Sequence, residues 1–126
     1  MSVIINGQNF NSEYLTKPED LAKGMMGRDT LEGCMVFKMG KGHHSFWMKN
    51  CLIPLDIIYV LNNRISRIHQ NCPVPDPHQM TLPHCTGLGD HVIEFPAGTA
   101  SNWKVGDRVS MYLGTPQNPV KPQMRF

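Results

Sequence analysis

Ile53-Pro54-Leu55-Asp56-Ile57-Ile58-Tyr59-Val60-Leu61-Asn62-Asn63-Arg64-Ile65-Ser66-Arg67-Ile68 decides the fold class. Both halves of this stretch are dense in β-branched and aromatic residues, which suit a pleated surface better than a helix. Asn62-Asn63 divides them, and asparagine tolerates the positive φ angles of a two-residue hairpin turn. Asp56–Leu61 and Arg64–Gln70 are therefore predicted to pair as antiparallel strands. Working outward, Met35–Met39, Ser45–Lys49, His91–Phe95 and Arg108–Leu113 have the same character. Val3–Ile5 and Phe10–Leu15 add N-terminal pieces bent at Asn6-Gly7, a strong hairpin dipeptide.

The chain has 126 residues, 40% of them hydrophobic and 17% charged. That is enough to bury one core and leaves no room for a second domain. Ten prolines and eleven glycines interrupt long helices, which excludes bundles and coiled coils. One helix is predicted. Thr16-Lys17-Pro18-Glu19 reads as a capping box in which Thr16 caps the free amides, and Leu21/Met25 with Ala22/Met26 gives a short apolar stripe before Gly27. Cys72–Asp90 carries four prolines and two glycines and is predicted to be an irregular loop. Residues 97–107 read as a turn-rich crossover. Pro116, Pro119 and Pro122 mark residues 115–126 as an extended tail behind a single β domain at 1–114.

The net charge of +2 hides a cationic middle, where Lys38, Lys41, Lys49, Arg64 and Arg67 face one acid, Asp56. Without a longer Lys/Arg run, a solvated face is the simpler account, and nucleic acid is disfavoured as a partner. No apolar run approaches the ~20 residues of a membrane span. The opening residues lack a basic and apolar leader, so a cytoplasmic location is expected. Cys34, Cys51, Cys72 and Cys85 contain no Cys-x-x-Cys pair, which excludes a zinc ribbon or thioredoxin-type motif and makes reduced thiols the expectation.

Gly24-Met25-Met26-Gly27-Arg28, Phe46-Trp47-Met48-Lys49-Asn50, Ile53-Pro54-Leu55-Asp56-Ile57-Ile58-Tyr59, and Ala97-Gly98 with Val105-Gly106-Asp107-Arg108-Val109 occur in this order. Together they resemble the family known as domain of unknown function 192 over about residues 15–114. The resemblance implies a small β-sandwich or jelly-roll-like barrel with one short N-terminal helix and no settled activity. The form without a leader and with a Pro-rich tail resembles phage-encoded members. Cys51 departs from the family pattern, which has Thr after the Trp-Met-Lys-Asn motif.

Alternation puts Trp47 and Lys49 on one strand face, with Asn50 at the strand end. Pro54 turns the chain so that Asp56 returns near Lys49, and a lone carboxylate among cations is expected to pair with Lys49 or Arg28. Arg28, Trp47, Lys49, Asn50 and Asp56 are thus the candidate ligand-binding residues. The expected function is a non-enzymatic accessory domain that binds a small molecule or a protein through them, without a cofactor and as a monomer or weak homodimer. One alternative is a hydrolase-like enzyme using the same residues on an anionic substrate. A second is metal binding through His78, His84, Cys85 and His91, whose spacing lacks the short ligand pairs of structural zinc sites.

Overall fold

The computed structural model describes residues 1–113. The extended tail expected at 115–126 lies outside the described residues. Seven strands and one helix follow in the order β1 (Ser2–Ile5), β2 (Gln8–Leu15), α1 (Pro18–Lys23), β3 (Cys34–Trp47), β4 (Leu55–Leu61), β5 (Arg64–Cys72), β6 (His84–Pro96) and β7 (Val109–Tyr112). The fold is mainly β, with one short helix, as the composition requires.

The hairpin expected at Asn62-Asn63 forms. The two asparagines take φ of 51° and 63°, and β4 pairs with β5 from Leu61↔Arg64 outward. Asn6 and Gly7 make the equivalent turn between β1 and β2. The strands share one hydrogen-bonded order, β5-β4-β6-β3-β2-β1-β7, in which only β2 and β3 run parallel. The sheet curls into a half-barrel whose edge strands meet at an isolated Arg64↔Arg108 bridge, reinforced where Val109 N–H donates to the Asn63 carbonyl. The sandwich and jelly-roll expectations are finer descriptions than this single order.

β4, the start of β3 and the end of β6 are buried on both faces, and alternation sorts their side chains into two cores. Cys34, Val36, Ile58, Val60, Ile93 and Phe95 enter the core enclosed by the curl, where Phe95 and Phe10 meet Trp103 edge to face. Met35, Phe37, Leu55, Ile57, Tyr59 and Val92 enter the second core, on the opposite face, which Met25 also joins.

Three sequence expectations fail here. The capping box does not form, because Lys17 is the cap residue and no side chain bonds the free amides. The six-residue helix is held by Pro18 at its first turn and ends at Gly24. The irregular loop is shorter than expected, since β6 begins at His84 and absorbs Thr86–Asp90. Gly87 and Gly89 are strand residues, not turn residues. A Cβ at Gly87 would lie 2.6 Å from the Tyr59 ring, and one at Gly89 would lie 2.8 Å from the Val60 carbonyl oxygen. The glycines let β6 cross tightly over β4. Similarly, Met35–Met39 and Ser45–Lys49 fuse into one strand, β3, whose register against β6 shifts between Lys38 and Gly42.

Candidate functional site

Asp56 is fully buried on β4, yet no cation among the described residues pairs with it. Its Oδ1 accepts from Asn71 N–H at 2.8 Å, and its Oδ2 accepts from Gly98 N–H at 3.0 Å and Ala100 N–H at 2.8 Å. The reason is local. Between Leu55↔Cys72 and Ile57↔His69, Asp56 stands alone opposite both Gln70 and Asn71, a β-bulge in which Asn71 takes φ of 54°. The bulge frees an amide that the carboxylate collects, together with two amides of the turn after β6. The expected pairing of Asp56 with Lys49 or Arg28 is therefore corrected: Asp56 fastens β4, β5 and the 97–100 turn.

Arg28 also goes elsewhere. Its guanidinium forms a two-pronged ion pair with Glu13 of β2, with Nη2 to Oε1 at 2.8 Å, and both side chains are exposed. Trp47, Lys49 and Asn50 do come together around an open depression that His84 and residues 79–82 complete. Lys49 Nζ sits 5.2 Å over the Trp47 ring, and the His84 ring tilts against Trp47 at 5.4 Å. Of the five candidates, three share a surface and two do not.

Trp47 is also one wall of a separate, partly open cavity of about 300 Å³ lined by α1, the 24–26 turn and β3. Phe37, Phe46, Met25 and Met26 supply its apolar lining, and Glu94 and Cys51 contribute the chemistry. Glu94 lies in mid-strand between Met35 of β3 and Ile57 of β4, only 4% exposed, and its Oε1 has no hydrogen-bond partner among the described residues. Burial, with Cys85 as a lesser neighbour, pushes this carboxyl up to about 8, so Glu94 carries its proton at neutral pH. Burial, with Glu94 as a lesser neighbour, likewise pushes the Cys51 thiol up to about 11. The departure at Cys51 thus places a protonated, unreactive thiol in the wall.

Sequence reasoning missed Glu94. A signal was present, because Val92-Ile93-Glu94-Phe95 sets one carboxyl in an apolar strand run where a buried charge needs a reason.

The metal alternative does not assemble. His84 Nδ1 bonds Ser45 Oγ at 2.7 Å, His91 Nδ1 bonds Asp90 at 2.8 Å, and His78 lies in the segment between β5 and β6 with its amide on Asp76. Among the described residues, no group of three or more His, Cys, Asp or Glu is placed to hold a metal ion. Nor, among them, is any helix long and apolar enough to cross a membrane.

A curled, mainly β half-barrel with a carboxyl-bearing cavity under its helix is the class that the fold and the site define. The family model of domain of unknown function 192, described as an uncharacterized ACR, matches residues 1–111, and the chain belongs to that family. A crystal structure of a protein of unknown function from Novosphingobium aromaticivorans is similar at 32% identity and a TM-score of 0.74, covering 87% of this chain and 84% of that one. A second, from Sinorhizobium meliloti and provisionally described as a transcription regulator, is similar at 25% identity and a TM-score of 0.71, covering 86% and 89%. No curated protein matches. Neither structural relative supports a phage source.

Proposed function

We propose that this domain binds a small, largely apolar molecule in the cavity beneath α1 and carries out no chemistry on it. The observation that carries this reading is the buried Glu94 carboxyl in the wall of this cavity, whose Oε1 has no hydrogen-bond partner among the described residues. Leaving such an atom unpaired costs roughly 1–3 kcal/mol, and a bound N–H or O–H donor recovers it. Ligand pockets run from ~300 to 1,000 Å³, so a cavity of about 300 Å³ fits a small molecule. Two features support binding over catalysis: Cys51 stays protonated, and Glu94 has no side-chain partner to accept or relay its proton. Trp47 stands between this cavity and the depression bordered by Lys49 and Asn50, Arg28 pairs with Glu13 at the surface, and Asp56 serves the scaffold. Four free thiols fit a reducing, cytosolic setting.

Thermal melts with a panel of small apolar amines, amides, alcohols and matched hydrocarbons test the reading. Donor-bearing members should raise Tm and change Trp47 fluorescence, and Glu94→Leu should remain folded and lose the response. A panel without effect, or a response unchanged in Glu94→Leu, would overturn the proposal.

A further inference from the structure

Away from the Glu94 cavity, the last residue of β5 and the second of β6 bring two thiols together. Cys72 Sγ and Cys85 Sγ are 3.4 Å apart, although the residues are 13 positions apart in sequence. Backbone and side-chain contacts hold this approach. His69 Nε2 lies 2.8 Å from the Thr86 carbonyl, Ser66 Oγ donates to the Leu88 carbonyl, and Tyr59 Oη donates to the Cys85 carbonyl. All three fasten the outer half of β6 across β4 and β5, where Gly87 permits the close crossing.

The two sulfurs are not equivalent. Cys72 is buried, whereas Cys85 is partly open. The hydrogen bond from the Cys72 S–H stabilises a thiolate at Cys85 and lowers its pKa against the opposing effect of burial, with Arg67 assisting. The same hydrogen bond, reinforced by burial, raises Cys72. One sulfur is thus prepared as an attacking thiolate and its neighbour holds a proton. Both face a second cavity of about 380 Å³, walled by Met48, Ile68, Leu82 and Pro83 and covered by the segment between β5 and β6.

We propose that Cys72 and Cys85 form a thiol–disulfide exchange site that accepts a low-molecular-weight disulfide from this cavity and closes to an intrachain disulfide. The Cys85 thiolate attacks one sulfur of RSSR, the RS–SR bond breaks, and the first RS⁻ leaves and takes up a proton from solvent. Cys72 then gives up its proton, and its sulfur attacks the Cys85 sulfur of the mixed disulfide. The second RS⁻ leaves with that proton. Two protein thiols are oxidised by two electrons, and one RSSR is reduced to two RSH. The sulfurs then close from 3.4 Å to the ~2.05 Å of an S–S bond. The product ties the ends of the 73–83 segment, part of which also borders the Trp47 and Lys49 depression.

Oxidised glutathione is the probe, with peptide mapping by mass spectrometry under non-reducing conditions. Wild type should yield a Cys72–Cys85 linked peptide that is lighter by two hydrogens, and Cys72→Ser should trap glutathione on Cys85. A linkage or adduct at Cys34 or Cys51 in preference to this pair would overturn the proposal, as would wild type remaining unlinked. A second measurement needs no variant. Iodoacetamide should alkylate Cys85 at least ~10-fold faster than Cys34 or Cys51, as its greater thiolate fraction requires, and equal or slower labelling of Cys85 also counts against the assignment.

Discussion

Asp56 and Glu94 are both buried carboxyls on adjacent central strands, yet they point into opposite cores and have opposite surroundings. Asp56 lies across from Phe95 and receives three backbone amides; Glu94 lies across from Ile57 and leaves an oxygen unpaired. A buried acid with all its partners in the backbone is part of the scaffold, since every bond it makes orders the chain. One with a vacant acceptor beside a cavity costs stability and is worth keeping only for something that visits.

The largest test of this contrast is Asp56→Ala. Three amides would be stranded and the bulge would lose its cap, so stability should fall by about 4 kcal/mol or more, measured by urea unfolding. A loss below ~1 kcal/mol would erase the distinction.

Glu94→Gln should behave oppositely. Glu94 is raised in the folded state, so the unfolded chain releases this proton first as pH rises. Its contribution is complete below the unfolded value near ~4.3 and is lost as pH climbs through about 8. Wild type should therefore weaken from pH 5 to pH 8.5 by a few kcal/mol, since each pH step between the two values removes ~1.4 kcal/mol. Glu94→Gln should flatten that slope and be the more stable protein at pH 8.5. Parallel wild-type and variant profiles would mean that Glu94 is ionised and partnered like Asp56.

Gly87→Ala tests packing on the Glu94 side of the sheet without touching charge. The added methyl meets the Tyr59 ring, and a loss of ~1–3 kcal/mol is expected in chemical denaturation. The smallest effect belongs to Arg28→Ala, whose exposed pair with Glu13 should contribute under ~1 kcal/mol. A larger loss would place Arg28 with the scaffold carboxylate rather than on the surface.

Much of the fold was legible where the signal is local. Asn62-Asn63 and Asn6-Gly7 announce their turns because few residues accept positive φ, and the β-branched runs announce the strands. The part that misled depends on what lies across the sheet. Gly87 and Gly89 read as loop residues until Tyr59 and Val60 are seen beneath them, and Thr16-x-x-Glu19 reads as a cap although the chain enters the helix at Lys17. The site shows the same divide. Asp56 stood out as a lone acid, but its partners are amides of a bulge and a distant turn that no side-chain pattern reveals. Glu94 hid inside a strand because periodicity gives the burial of a position and not whether its polar atom is satisfied.

The pairing of β1 with β7 also sets an order of events during synthesis. Ser2–Ile5 are made more than a hundred residues ahead of their second neighbour, Val109–Tyr112. Until then one side of β1 offers unpaired amides and carbonyls to any passing strand, and the curl cannot close. Such distant pairing slows folding, so the interval between β1 and β7 leaving the ribosome is when this chain is most exposed to mispairing with another copy of itself.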